Sequence, residues 1–112
     1  MKDRFGRGPV THFRLTARVA EQRIRTLAAD SANIDWSIHA FERMDERGIT
    51  VQDALRALRQ GMLSGQPEPL PRNEWKCKMV RRTQGNRDVG VVTIMLASDR
   101  LFVKTVEWED LK

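Results

Sequence analysis

The stretch EWKCKMVRRTQGNRDVGVVTIML, residues 74–96, decides how the chain folds. Its first nine residues alternate Trp75, Cys77 and Met79 against Lys76, Lys78 and Arg82, the two-residue period of a strand with one apolar and one basic face. Gln84-Gly85-Asn86-Arg87 then forms a short turn-prone connection, and Val89 to Leu96 is rich in Val, Ile and Thr and apolar on both faces. An alternating strand, a tight turn and a doubly apolar strand predict an antiparallel sheet with Val89–Leu96 at its centre.

Downstream, Ser98-Asp99-Arg100 turns the chain into another β-rich run, Leu101 to Trp108. Upstream, Gly65, Pro67, Pro69 and Pro71 exclude a helix and allow at most an irregular edge strand. Before that the period changes to helical. Thr50 with Asp53 three residues later resembles a capping box, although Asp replaces the usual Glu or Gln. Val51, Leu55, Leu58 and Met62 follow it at helical spacing, with the stop at Gly61. A second helix is expected from Ser37, as N-cap, to Arg47, with Gly48 as its left-handed stop. A further helix from about Leu15 to Ala29 places Ala17, Ala20, Ile24 and Leu27 on one face and Arg14, Arg18 and Arg25 on the other. It ends at the turn-prone Asp30-Ser31-Ala32-Asn33. Helices followed by strands indicate an α+β fold, with three N-terminal helices on one face of a three- to four-stranded antiparallel sheet. One domain is expected over residues 1–112: a basic arm over 1–13, a helical part over 14–62 and the sheet over 63–112.

Composition bounds what such a domain can do. Twenty Lys and Arg against 15 Asp and Glu leave +5 and attract polyanions. The excess is uneven: +4 over residues 1–30 and +3 over 66–88, but −1 over both 31–65 and 89–112. One Cys and two His exclude a disulfide framework and a Cys/His zinc site within one chain. The absence of Tyr excludes a phenol as acid or base. No apolar run approaches the ~18 residues needed to cross a bilayer. The start, MKDRFGRGPVTHFR, lacks the apolar stretch of a secretory signal, so a reduced cytoplasmic compartment is expected.

The Ser37–Arg47 helix is the richest in chemistry. Ala40, Met44, Phe41 and Ile38 are expected on one side, and His39, Arg43 and Arg47 form an i, i+4, i+8 ridge on the other, flanked by Glu42 and Glu46. An imidazole and two guanidiniums in a row suit a phosphate: Arg gives planar, permanently charged contacts, and His moves a proton near neutral pH. A solvated helix face laced by local ion pairs has the same pattern. Lys76, Lys78 and Arg82 make a second basic element, either an ordinary exposed sheet face or, with Lys104 or Thr105 alongside, a cationic cleft. Cys77, among apolar neighbours, reads as a core thiol. Trp36, Trp75 and Trp108 read as packing residues before stacking platforms. Glu42, Asp45 and Glu46 have no further acidic motif to complete a magnesium site, and His12 in the arm is assigned no role.

The string from Ile38 to Thr50, followed by Val51, Asp53, Ala54, Leu55 and Gly61, resembles a family of small bacterial proteins of unknown function marked by H-A-x-x-R-M-x-x-R-G-I. The basic strand, the Val-rich strand and Lys104-Thr105-Val106 suit the same family, over roughly residues 35–108. Its members are similar to the RelE-, BrnT- and MqsR-like toxins of toxin–antitoxin pairs. The resemblance implies a RelE- or barnase-like ribonuclease architecture, RNA as substrate and a helix-turn-helix antitoxin as partner. His39, Arg43 and Arg47 fall on the motif's polar positions. Several RelE-like enzymes use a tyrosine, which this chain lacks. The expectation is a metal-independent, cofactor-free endoribonuclease with His39, Arg43 and Arg47 catalytic and Lys76, Lys78, Arg82 and Lys104 on the RNA backbone. The alternative is a non-catalytic module that binds nucleic acid or an antitoxin through the same faces.

Overall fold

In β4 (Asp88–Met95), Val89, Val91, Thr93 and Met95 are all buried on one face, and the rest of the molecule is arranged around that row. The computed structural model describes residues 15–110; the arm over 1–13 lies outside them. The other strands are β1 (Ile34–Trp36), β2 (Met62–Leu70), β3 (Glu74–Arg82) and β5 (Leu101–Trp108), and the sheet order is β1-β5-β4-β3-β2. As the doubly apolar sequence requires, β4 is central. β2 to β5 pair antiparallel through short connections. Asn86 and Asp99, in the tips of the two hairpins joining β3, β4 and β5, take positive φ of 63° and 61°, which short Asx side chains tolerate.

Two expectations need correction. The sheet has five strands and is mixed, because β1 pairs parallel with β5 through Ile34–Leu101, Asp35–Phe102 and Trp36–Val103. Three residues between a turn and a helix cap carry too little alternation to signal a strand. The helices also do not share one layer evenly. α3 (Val51–Gln60) lies over β3 and β4, α1 (Ala17–Ala28) packs on α3 and β2, and α2 (Ile38–Arg47) packs along β5.

Each helix start is set by a side-chain cap: Thr16 Oγ1 accepts from the Val19 N–H, Ser37 Oγ from Ala40, and Thr50 Oγ1 from Asp53 at 3.0 Å. The Asp53 carboxylate returns a bond from the Thr50 N–H at 3.4 Å, so the capping box closes with Asp in place of Glu. Buried Ala20, Ile24 and Ala28 on α1 meet Ala54, Ala57 and Leu58 on α3, and both layers close on Cys77 and Met79 of β3 and the β4 row.

Arginines fasten the ends of this layer. Arg25, expected on the solvent side of α1, donates to the Gly61 carbonyl at 2.6 and 3.1 Å and pairs with Glu21 at 3.3 Å. Arg59 donates to the Ala28 carbonyl at 2.7 Å, where α1 leaves carbonyls unsatisfied. The α3–β2 junction is tight: a Cβ on Gly61 would sit 2.7 Å from the Val80 carbonyl oxygen.

Leu58 is fully buried where α3 meets the sheet. Leu58→Ala is expected to cost about 2–5 kcal/mol, read as a lower urea midpoint with unchanged slope.

Candidate functional site

The motif helix is tied to the sheet by its two ends. β1 accompanies β5 only as far as Val103. There Ser37 continues the strand, its N–H donating to the Val103 carbonyl at 3.0 Å, while its hydroxyl caps α2 and donates to the Lys104 carbonyl at 2.9 Å. At the far end of the helix, the outer edge of β5 meets a side chain instead: Arg47 Nη1 donates to the Val106 carbonyl at 2.9 Å. Trp108 Nε1 returns a bond to the Arg47 carbonyl at 2.8 Å. α2 therefore satisfies edge groups that a further strand would otherwise pair. Gly48, at φ 67°, ends the helix in the left-handed conformation, and Ile49 turns inward to 4% exposure.

This anchoring sorts the predicted ridge. Ala40 and Met44 are buried, as expected. Ile38 and Phe41, placed with them from the sequence, are instead 78% and 48% exposed, with Phe41 stacked on Trp36 at 5.9 Å between ring centroids. The helix is centred on Ala40 and Met44, so Ile38 points away from the sheet and the ridge descends from solvent towards β5. His39 is exposed and has no partner among the described residues. Arg43 is half-buried and pairs with Glu46 at 2.8 Å. Arg47 is committed to the Val106 carbonyl.

The sheet's other face carries Lys76, Lys78 and Arg82, as the alternation requires, and of the two alternatives left open for them it is a charge-paired sheet face and not a cationic cleft. Lys76 lies 3.7 Å from Glu68 on β2, Arg82 3.0 Å from Asp88, and Lys78 3.4 Å from Glu107 and 3.0 Å from Glu109. Partial burial opposes the Lys78 charge, yet Glu109 and Glu107 outweigh it and hold its pKa above the ordinary lysine value. The pair with Glu109 passes over Gly90, where a Cβ would collide with the carboxylate and lie 3.2 Å from the lysine stem. Lys104 is displaced by a bulge: Val92 pairs with Thr105 and Thr93 with Val103, leaving Lys104 as the extra residue. It is exposed, next to the α2 cap through its carbonyl, and far from the β3 lysines in strand order. The structure thus groups Lys104 with the His39 end of α2, and places Lys76, Lys78 and Arg82 on the sheet face opposite the helices.

The remaining candidates resolve simply. Trp108 is held by Arg47 on one side and lies under the Arg87 guanidinium, 4.1 Å from the ring centroid, on the other. Cys77 is 3% exposed, and burial pushes its thiol up to about 11. Among the described residues no group of three or more His, Cys, Asp or Glu side chains is placed to hold a metal ion. Arg81, not among the candidates drawn from the sequence, continues the alternation of Trp75, Cys77 and Met79 onto the helix-covered face.

These features define a small α+β protein whose motif helix closes the edge of a mixed sheet. Residues 36–108 match the family described as Domain of unknown function (DUF4258), and the chain belongs to it. Comparison with curated proteins and with solved structures gives no match.

Arg47→Ala leaves the Val106 carbonyl without its donor and is expected to cost about 1–3 kcal/mol, whereas His39→Ala should change stability by under about 0.5 kcal/mol; paired urea titrations separate the two. For Cys77, a native-state thiol near 11 means resistance to alkylation at pH 8 until the chain unfolds. Because the folded pKa is raised, the stability it contributes is complete below the ordinary thiol value and falls as pH rises towards about 11.

Proposed function

We propose that the protein acts on RNA as the toxin of a toxin–antitoxin pair, a small endoribonuclease using His39 and Arg43. One observation carries this reading: within the motif helix and its stop, the other motif residues hold the fold and these two do not. Ala40, Met44 and Ile49 are core, Gly48 is the left-handed stop, and Arg47 bonds the β5 edge. His39 is exposed, and among the described residues the only ion pair of Arg43 is an i, i+3 contact with Glu46, worth a few tenths of a kcal/mol (about 0.2–0.5).

In the reaction, the 2′-oxygen of a ribose attacks the adjacent phosphorus as the bond to the 5′-oxygen breaks, giving a 2′,3′-cyclic phosphate. His39 takes the 2′-hydroxyl proton, solvent supplies one to the leaving oxygen, and Arg43 exchanges Glu46 for the phosphate, whose charge grows in the transition state. Lys104, beside the α2 cap, is the sheet cation nearest in the fold to contribute to backbone binding. Lys76, Lys78 and Arg82 must first leave their carboxylates, so their contribution is smaller than the sequence suggested. Arg47 serves this site by fixing α2 and not by touching phosphate.

A second reading is favoured by Ile38 and Phe41. Two exposed large apolar side chains on the helix that carries His39 suit a protein partner such as an antitoxin, and α2 is then a docking element with no chemistry of its own.

Purified protein incubated with RNA in EDTA decides between them. On the first reading RNA is cleaved to 2′,3′-cyclic ends, and His39→Ala or Arg43→Ala lowers the rate at least ~100-fold in folded protein. Binding without cleavage, or cleavage unchanged in both variants, overturns the catalytic assignment.

A further inference from the structure

Arg81 is a cation on the helix-covered side of the sheet whose charge no described neighbour balances. It stands opposite Val89 on the face of β3 that the helices cover, just beyond the core row of Cys77 and Met79. Sequence alternation puts it there, yet among the described residues it has neither a carboxylate partner nor a hydrogen-bond acceptor. Beside it α3 presents Asp53, Arg56 and Gln60, spaced i, i+3, i+7 and therefore on one stripe. These residues and Gln84 of the β3–β4 turn line a recess of about 380 Å³.

The charges in this recess do not cancel. Among the described residues Asp53 is its only carboxylate, and it already accepts from the Thr50 N–H in the capping box. Its approach to Arg56 is loose, at 3.7 Å, and Arg56 is half exposed. Arg82 also borders the recess, but its guanidinium bonds Asp88 and Asn86, each at 3.0 Å. Of the two guanidiniums, only Arg56 approaches the carboxylate, and Arg81 pairs with no carboxylate among the described residues. The side-chain amides of Gln60 and Gln84 supply neutral donors at the same place.

We propose that this recess between α3 and the β3–β4 hairpin is a phosphate-binding site. A carboxylate presents two oxygens and is filled by one arginine fork, whereas a phosphate group presents three or, in a diester, two unbridged oxygens plus ester oxygens to donors from several directions. Arg81 from the sheet, Arg56 from the helix and two amides match the latter. The recess has the volume of a small-ligand site and takes more than a bare ion, so the phosphate is one carried by a nucleotide, at its end or in its backbone. Its residues are distinct from His39 and Arg43, and the proposal stands whether or not α2 is catalytic.

Calorimetric titration of the full chain tests it, with inorganic phosphate, AMP and a short 2′-deoxy oligonucleotide lacking a terminal phosphate as probes. At least one probe should bind, with Arg81→Gln and Arg56→Gln each weakening it about tenfold or more, and Arg18→Gln, on the exposed side of α1, leaving it unchanged. Binding of phosphate and AMP alone identifies a terminal phosphate, and binding of the oligonucleotide identifies the backbone; either supports the site. No binding by any probe, or equal affinity in folded Arg81→Gln and Arg56→Gln proteins, overturns it. The two variants lie on different elements, so misfolding of one leaves the other as the test, with circular dichroism reporting fold.

Discussion

The outer edge of β5 is the constraint around which this molecule is organised. β1 pairs with its first three residues and then stops, which leaves carbonyls from Val103 onward on its outer edge in need of donors. Ser37 meets two of them, one through its backbone and one through its hydroxyl, and Arg47 meets the third. A helix placed by three hydrogen bonds to a strand edge has little freedom to slide or rotate, and this determines which of its residues enter the core and which reach solvent. The exposure of His39 and Ile38, and the loss of Arg47 to structure, follow from that one docking arrangement.

Local signals were legible where a single residue type does the work. Thr50 and Asp53 close a capping box, Ser37 caps α2, Gly48 stops it, and the prolines of 67–71 confine β2 to an irregular edge. The two faces of β3 and the central place of β4 also follow from alternation and double apolarity. What the sequence hid are pairings between distant residues. The parallel contact of β1 with β5 joins residues 34–36 to 101–103, and nothing in three residues announces it. The bulge at Lys104 depends on how β4 and β5 register, and it moves a cation that alternation alone would misplace.

Charge is hidden in the sequence for the same reason. A basic strand looks cationic when only its own residues are counted, but β2, β4 and β5 bring Glu68, Asp88, Glu107 and the following Glu109 to meet Lys76, Arg82 and Lys78. The net +5 therefore does not map onto the face with the most lysines. The pairing acts through neighbours across the sheet, so segment sums along the chain are blind to it. Arg81, on the opposite face from those pairs, has no compensating charge among the described residues, because the one carboxylate α3 brings near it is already in use.

Ser37 is the whole connection between β1 and α2, and this single-residue joint has a mechanical meaning. Strand and helix have no slack between them, so peeling α2 from β5 pulls on Ser37 and with it on the Trp36–Val103 pair. The two elements should open together as one cooperative unit, exchanging their amide hydrogens at a common rate. Once open, the unit uncovers the full length of a β5 edge, a ready template for an incoming strand. The helix that carries the motif is thus also the cover that keeps this sheet from extending itself.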